Sequence, residues 1–160
     1  MLAEILEKYH VVNSVGEEFG KVKEAYLNLE TWEVSGFEIS PGALKKHFLL
    51  KLQEIQKIDT DEKFLVVKDD FERAEVPKVP VKGLYPLDRL MSAHVVDSEG
   101  KKVGKIYNLE IPYEKMKKLK VWKVMIKTGI KERRLRLSPA EIADVKEEIH
   151  LKKIEKDYEG

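Results

Sequence analysis

The sequence predicts an all-β protein made of two tandem, small, mostly antiparallel β-barrels with short helical turns. Three observations carry that expectation. One thirteen-residue motif occurs twice, the apolar residues around it fall into short blocks of strand length, and the blocks recur in the same order in both halves of the 160-residue chain.

The motif is His10-Val-Val-Asn-Ser-Val-Gly-Glu-Glu-Phe-Gly-Lys-Val22, repeated as His94-Val-Val-Asp-Ser-Glu-Gly-Lys-Lys-Val-Gly-Lys-Ile106, with seven of thirteen positions identical at an offset of 84. Beyond Val34 and Val121 the offset becomes 87, pairing Phe37 with Val124, Ile39 with Ile126, Phe48 with Leu135, Leu50 with Leu137 and Ile55 with Ile142. The last blocks align at 85, which pairs Phe64 with Ile149 and Val66 with Leu151. Length changes confined to the stretches between apolar blocks are what a duplicated domain with divergent loops produces.

In the first copy the expected strands are Val11-Val12, Val22 to Leu29, Trp32 to Ile39, His47 to Leu52 and Phe64 to Val67. In the second they are Val95-Val96, Val103 to Ile111, Leu119 to Lys127, Arg134 to Leu137 and Ile149 to Leu151. Gly16 with Gly20, and Gly100 with Gly104, bracket a tight hairpin where the missing Cβ permits positive φ. Ser138-Pro139-Ala140-Glu141 has the residues of a capped helical turn with a capping box, and Leu52 to Ile55 takes its place in the first copy. The expected domains are 1–69, with a short lead segment, and 93–160. The stretch 70–92, with Pro77, Pro80 and Pro86, is a linker or crossover. Its Leu84, Tyr85, Leu87 and Leu90 are too apolar for a free tether, so it should pack, with the leading strand of the second copy as one candidate role.

Composition narrows the functional classes. The chain has no cysteine, which removes disulfides, thiolate metal sites and cysteine nucleophiles. No stretch approaches the ~20 apolar residues of a membrane-spanning helix, and the N-terminus lacks a signal-peptide pattern, so a cytoplasmic protein is expected. Abundant Lys and Glu beside few Asn and Gln fit a heat-adapted protein. The net charge of +1 conceals an asymmetry: residues 1–80 carry 11 basic and 16 acidic side chains, residues 81–160 carry 19 and 13.

The run Val95-Val-Asp-Ser-Glu-Gly-Lys-Lys-Val-Gly-Lys-Ile106, with apolar strands and Ser138-Pro-Ala-Glu-Ile-Ala-Asp-Val145 after it, resembles the PRC-barrel family. That family includes the barrel of the photosynthetic reaction-centre H subunit, the C-terminal domain of a ribosome maturation factor and many small archaeal proteins. The resemblance spans roughly 10–69 and 93–152 and suggests a tandem two-barrel protein of archaeal type. It implies a six-element barrel without a catalytic centre that serves as a docking module in ribosome assembly, at a membrane or in archaeal cell division. With no membrane span before the first barrel, a reaction-centre-like role is not expected.

His10 and His94 are equivalent, His47 and His150 are isolated, and none has metal-ligand spacing, so structural roles are expected and no metal or cofactor is. The glycine pairs lack the Lys-Ser/Thr ending of a phosphate loop and read as turns. No nucleophile elbow or triad stands out, so an enzyme is not expected. The strongest surface feature is basic: Lys115, Lys117, Lys118, Lys120, Lys123, Lys127, Lys131, Arg133, Arg134 and Arg136, with Trp122 and Tyr113 beside them and only Glu132 opposing. Alternation in Arg134-Leu-Arg136-Leu137 puts both arginines on one face. Such a face suits an acidic protein surface, anionic lipid or nucleic-acid phosphates, or pairs with neighbouring Glu side chains. Glu30, Glu33 and Glu38 suggest an acidic counterpart in the first barrel, compatible with packing of the two barrels or a homodimer. The leading expectation is a non-catalytic adaptor or scaffold that binds another protein. The alternative is an RNA- or ribosome-associated factor using the basic second barrel.

Overall fold

The computed structural model describes residues 3–112, 119–129 and 133–158. The chain divides into two compact units, one built on Glu4–Leu87 and the other on Asp88–Pro112 and Lys120–Gly160. The fold is nearly all β, as expected. In the first unit β1 (His10–Val12), β2 (Glu18–Asn28), β3 (Glu33–Ser40), β4 (Phe48–Lys51), β5 (Ile55–Asp59) and β6 (Phe64–Val67) form a curled sheet in the order β4-β3-β2-β1-β6-β5. A two-residue strand, β7 (Tyr85–Pro86), joins it beside β2. A helical turn, α1 (Leu87–Leu90), follows. The second unit holds β8 (His94–Val96), β9 (Lys102–Glu110), β10 (Lys123–Thr128), β11 (Arg134–Leu137), β12 (Ile142–Val145) and β13 (Ile149–Leu151), ordered β11-β10-β9-β8-β13-β12. Substituting each strand for its counterpart turns one order into the other, so the duplication read in the sequence is a duplication of topology.

The agreement extends to register. Phe37 faces Leu50 and Ile39 faces Phe48 in the first sheet; Val124 faces Leu137 and Ile126 faces Leu135 in the second. Val22 and Ala25 lie opposite Ile39 and Phe37, as Ile106 and Leu109 lie opposite Ile126 and Val124. Both sheets have a bulge at the same point of their long second strand, skipping Lys23 in β2 and Tyr107 in β9. A bulge bends and twists its strand, which helps curl so short a sheet.

The last strands correct the alignment. Leu65 lies beside Val11, and Ile149 beside Val95, so the true offset there is 84. Leu65 and Val67 match Ile149 and Leu151, all at most 2% exposed, whereas Phe64 and Val66 are half-buried. A one-residue slip in a strand exchanges its core face for its outer face, and the apolar run Phe64-Leu-Val-Val67 conceals which face is which. The strand Ile55–Asp59, with its counterpart Ile142–Val145, was also absent from the expected set. Each is an edge strand with two adjacent exposed residues at its centre, Gln56-Lys57 and Ala143-Asp144, joined to the other edge by one 3-10 turn.

Other expectations are corrected in detail. Gly16 and Gly100 do occupy turns, with φ of 86° and 80°. Gly20 and Gly104 instead lie within β2 and β9, where neighbouring backbone comes too close for a side chain: a Cβ on Gly20 would sit 2.6 Å from the Ser40 carbonyl, and one on Gly104 would run into that of Lys127. Ser138 caps its 3-10 turn by accepting from the Ala140 N–H at 3.3 Å. The capping box is not completed, because the Glu141 carboxylate accepts from the Tyr158 hydroxyl at 3.3 Å. The crossover packs, but as an extra strand of the first sheet, not a leading strand of the second: Leu29 N–H donates to the Lys82 carbonyl and the Ser35 hydroxyl to that of Gly83, both at 2.9 Å.

One buried polar pair explains a difference between the copies. Asn13 Oδ1 accepts from the N–H groups of Val15 and Glu17 at 3.1 and 2.8 Å, and Asp97 Oδ1 accepts identically from Glu99 and Lys101 at 2.9 and 3.0 Å. The other side-chain atom meets opposite chemistry. Asn13 Nδ2 donates to the Asp69 carboxylate at 2.7 Å, where an aspartate would meet a like charge. Asp97 Oδ2 accepts from the Glu155 N–H at 3.3 Å, where an amide nitrogen would meet another donor. Burial pushes the Asp97 carboxyl up, but the N–H groups of Lys101, Glu99 and Glu155 and the Lys101 charge outweigh it and hold the group below its ordinary value of 3.8.

Two outcomes follow. Gly104→Ala is expected to destabilise the protein by about 1–3 kcal/mol through overpacking. Gly129→Ala, where a Cβ meets nothing within 4 Å, should change stability by no more than about 0.5 kcal/mol; equal urea midpoints for the two would refute the close-approach argument. The depressed Asp97 carboxyl contributes stability that is present above its unfolded value and lost as pH falls through its folded one. The stability gap between wild type and Asp97→Asn should therefore be open near neutral pH and shrink below about pH 4. Urea titrations at both pH values check this, and a pH-independent gap would remove the role of the charge.

Candidate functional site

On the second sheet, alternation sends Val124, Ile126, Leu135 and Leu137 into the core and Lys123, Met125, Lys127, Arg134 and Arg136 to the outer face. The bulge in β9 leaves Lys105, Tyr107 and Glu110 among its exposed or half-buried side chains. A continuous outer face across three strands results, and it carries two groups of different character.

The first group surrounds Trp122, whose side chain is 53% exposed although its backbone N–H is fixed to the Glu110 carbonyl at 2.8 Å. The Lys123 ammonium lies 5.5 Å, and the Arg136 guanidinium 5.8 Å, from the indole ring. Arg136 is held from its other side by an ion pair from Nη2 to Glu110 Oε2 at 2.6 Å. The arrangement offers a large, amphipathic ring at little further ordering cost, because backbone pairing and two cations already define its surroundings.

The second group is a row. His94, Lys105, Lys127 and Arg134 are successive cross-strand partners on β8, β9, β10 and β11. Arg134 stacks its guanidinium 5.3 Å from the Tyr107 ring. Like charges opposite one another on a sheet are unfavourable, so the row costs folding free energy. The corresponding row of the first sheet is far less basic, running His10, Lys21, Ser40 and, next to β4, His47.

The sequence-predicted residues divide accordingly. Trp122, Lys123 and Arg136 are brought together; Arg134 belongs to the row; Lys120 and Arg133 are exposed, and the Arg133 carbonyl accepts from the Thr128 N–H and hydroxyl at 2.8 and 3.1 Å. Lys115, Lys117 and Lys118, with Tyr113 and Lys131, lie outside the described residues. Sequence reasoning missed His94 and Lys105, which belong to the turn motif by sequence but to the basic row by pairing. It also missed Glu110, which neutralises Arg136. The acidic face expected of the first barrel is largely engaged already: Glu38 accepts from Tyr26 at 3.1 Å and pairs with His47 at 2.6 Å, and Glu30 lies 3.4 Å from Lys82. The histidines mostly sit beside carboxylates, His10 with Glu18 and His150 with Asp144 at 4.0 Å. Among the described residues, no three His, Asp or Glu side chains gather where a metal could be held. No helix there is long and apolar enough to cross a membrane.

Comparison with known proteins bears on the first unit directly. Residues 3–73 match the family model of the PRC-barrel domain. No curated protein matches the chain.

Because Trp122 is exposed and its ring lies beside Lys123 and Arg136 of the outer face, Trp122→Ala should shift stability by less than about 1 kcal/mol. A thermal melt checks this; a larger loss would mean that the indole is part of the core and not available to a partner.

Proposed function

Residues 3–73 are a PRC-barrel domain, and from that premise we propose that the protein is a non-catalytic adaptor of the cytoplasm that binds another protein through the outer face of its second barrel. PRC-barrel domains often mediate protein interactions, and the second unit repeats the strand order of the first. The observation that carries the reading is the Trp122 group. Tryptophan and arginine are the residues on which binding energy most often concentrates, and here they stand adjacent, exposed and pre-oriented. Glu110 limits the net charge of this group, which favours a mixed polar and apolar protein surface over a bare run of phosphates.

A second reading is favoured by the basic row. Lys105, Lys127 and Arg134, with Lys120 at the sheet's approach, could follow an RNA backbone, making the protein an RNA- or ribosome-associated factor. The acidic first half and a net charge of +1 weigh against general nucleic-acid affinity.

The test is affinity capture from the native lysate with wild type, Trp122→Ala and Arg136→Glu, followed by mass spectrometry and reconstitution with the purified partner. One partner retained by wild type, and weakened about tenfold or more by either variant, is the expected result. If wild type instead binds RNA with steep salt dependence, and charge reversal at Lys120, Lys123 and Arg134 abolishes it, the adaptor reading fails. Purified wild type and Trp122→Ala compared by sedimentation also decide whether the partner is a second copy of the chain.

A further inference from the structure

The two barrels differ at the end of the sheet where β1 and β2, or β8 and β9, meet the segment following the last strand. In the first barrel this end is plugged. The Phe19 and Phe71 rings meet edge to face with centroids 5.2 Å apart, Phe48 lies 5.7 Å from Phe71, and Arg73 covers all three, 4.2 Å from the Phe71 centroid. In the register that relates the barrels, Val103 stands for Phe19 and Leu135 for Phe48, and the offset of 84 carried past the last strands sets Glu155 against Phe71 and Asp157 against Arg73. The aromatic plug has no counterpart. An open pocket of about 690 Å³ takes its place, lined by His94, Lys102, Lys105, Lys127 and Arg133, with Glu155 and the β9–β10 backbone around Gly104, Thr128 and Gly129.

The charges of this pocket are also new relative to the first copy. Where the second barrel has Lys102 and Lys127, the first has Glu18, which pairs with His10, and Ser40. Among the described residues, Lys102, Lys105 and Lys127 have no carboxylate within ion-pair distance, although Glu155 lines the same pocket. Among the described lining residues, these three lysines against one carboxylate leave a surplus of positive charge in a concave site, where low-dielectric walls concentrate the field. The volume lies within the range of small-molecule sites and far exceeds one phosphate group.

We propose that this pocket is a binding site for a small polyanion carrying two or more phosphate groups. Lys105 and Lys127 are direct cross-strand neighbours, close enough for both ammonium groups to reach one phosphate. Lys102 lines the same pocket and is placed to neutralise a second. Stems of the lysines, Val103 and the bare backbone at Gly104 and Gly129 supply the floor. The site is separate from the Trp122 group and does not depend on the adaptor reading.

The test is isothermal titration calorimetry of the full chain with inorganic tripolyphosphate, with ATP and a short single-stranded RNA as parallel arms. Tripolyphosphate should bind with an affinity that falls as salt rises. Lys105→Glu and Lys127→Glu should each weaken it about tenfold or more, whereas Lys57→Glu, on the exposed face of β5, should leave it unchanged. Gly129→Trp, which needs no strained backbone, should block the pocket without altering its charge. Circular dichroism melts of each variant verify folding. ATP binding comparable to tripolyphosphate would support the same site. No binding at millimolar tripolyphosphate, or binding indifferent to both Lys105→Glu and Gly129→Trp, would overturn the proposal. So would tight RNA binding without tripolyphosphate binding, which would assign the cations to a nucleic-acid backbone.

Discussion

In each barrel the strand that begins the fold lies parallel to the strand that ends it, β1 beside β6 and β8 beside β13. A parallel pair cannot be made by a hairpin, so its register has to be secured by something other than a turn. Here it is secured by burial, with Val11 beside Leu65 and Val95 beside Ile149, all at most 1% exposed. A polar clamp assists. Asn13 and Asp97 each organise the turn after the first strand and reach the segment after the last one, to Asp69 and to Glu155. Because buried polar groups are costly unless satisfied, this clamp tolerates only the side chain whose donors and acceptors match its partner.

Once that seam is set, the antiparallel strands follow by local connections, and the bulge in the second strand turns the sheet. The same device positions the candidate sites. By skipping Tyr107, the bulge lets Lys105 and Glu110 both contribute to the outer face, one beside Lys127 and the other against Arg136. Gly104 permits the tight approach of β9 and β10 that the row of cations crosses. The function-bearing face is thus a consequence of how the sheet is curled, not an addition to it.

The two copies show how one core supports different surfaces. Matching core positions keep apolar residues of varied size, such as Phe37 with Val124 and Phe48 with Leu135, because a barrel tolerates changes that its neighbours can fill. At the mouth, the exchange of Phe71 for Glu155 and of Glu18 for Lys102 converts a plugged end into an open, cationic pocket. Surface positions carry no such packing constraint, so their charges diverge while the register does not.

The duplication, the strand blocks and the offsets of 84 and 87 were legible in the sequence, because apolar spacing and turn residues are local consequences of strand geometry. So was the basic character of the region around Trp122, since charge is a property of composition. What only the tertiary structure decided depends on contacts between distant strands. These include the register of β6 and β13, the strand identity of Ile55–Asp59, the attachment of Tyr85–Pro86 to the first sheet, and the inclusion of His94 and Lys105 in one row with Lys127 and Arg134. A uniformly apolar run does not reveal which of its alternate residues face inward, and a basic side chain does not reveal its cross-strand neighbour. Both are set by pairing, which the chain acquires only on folding.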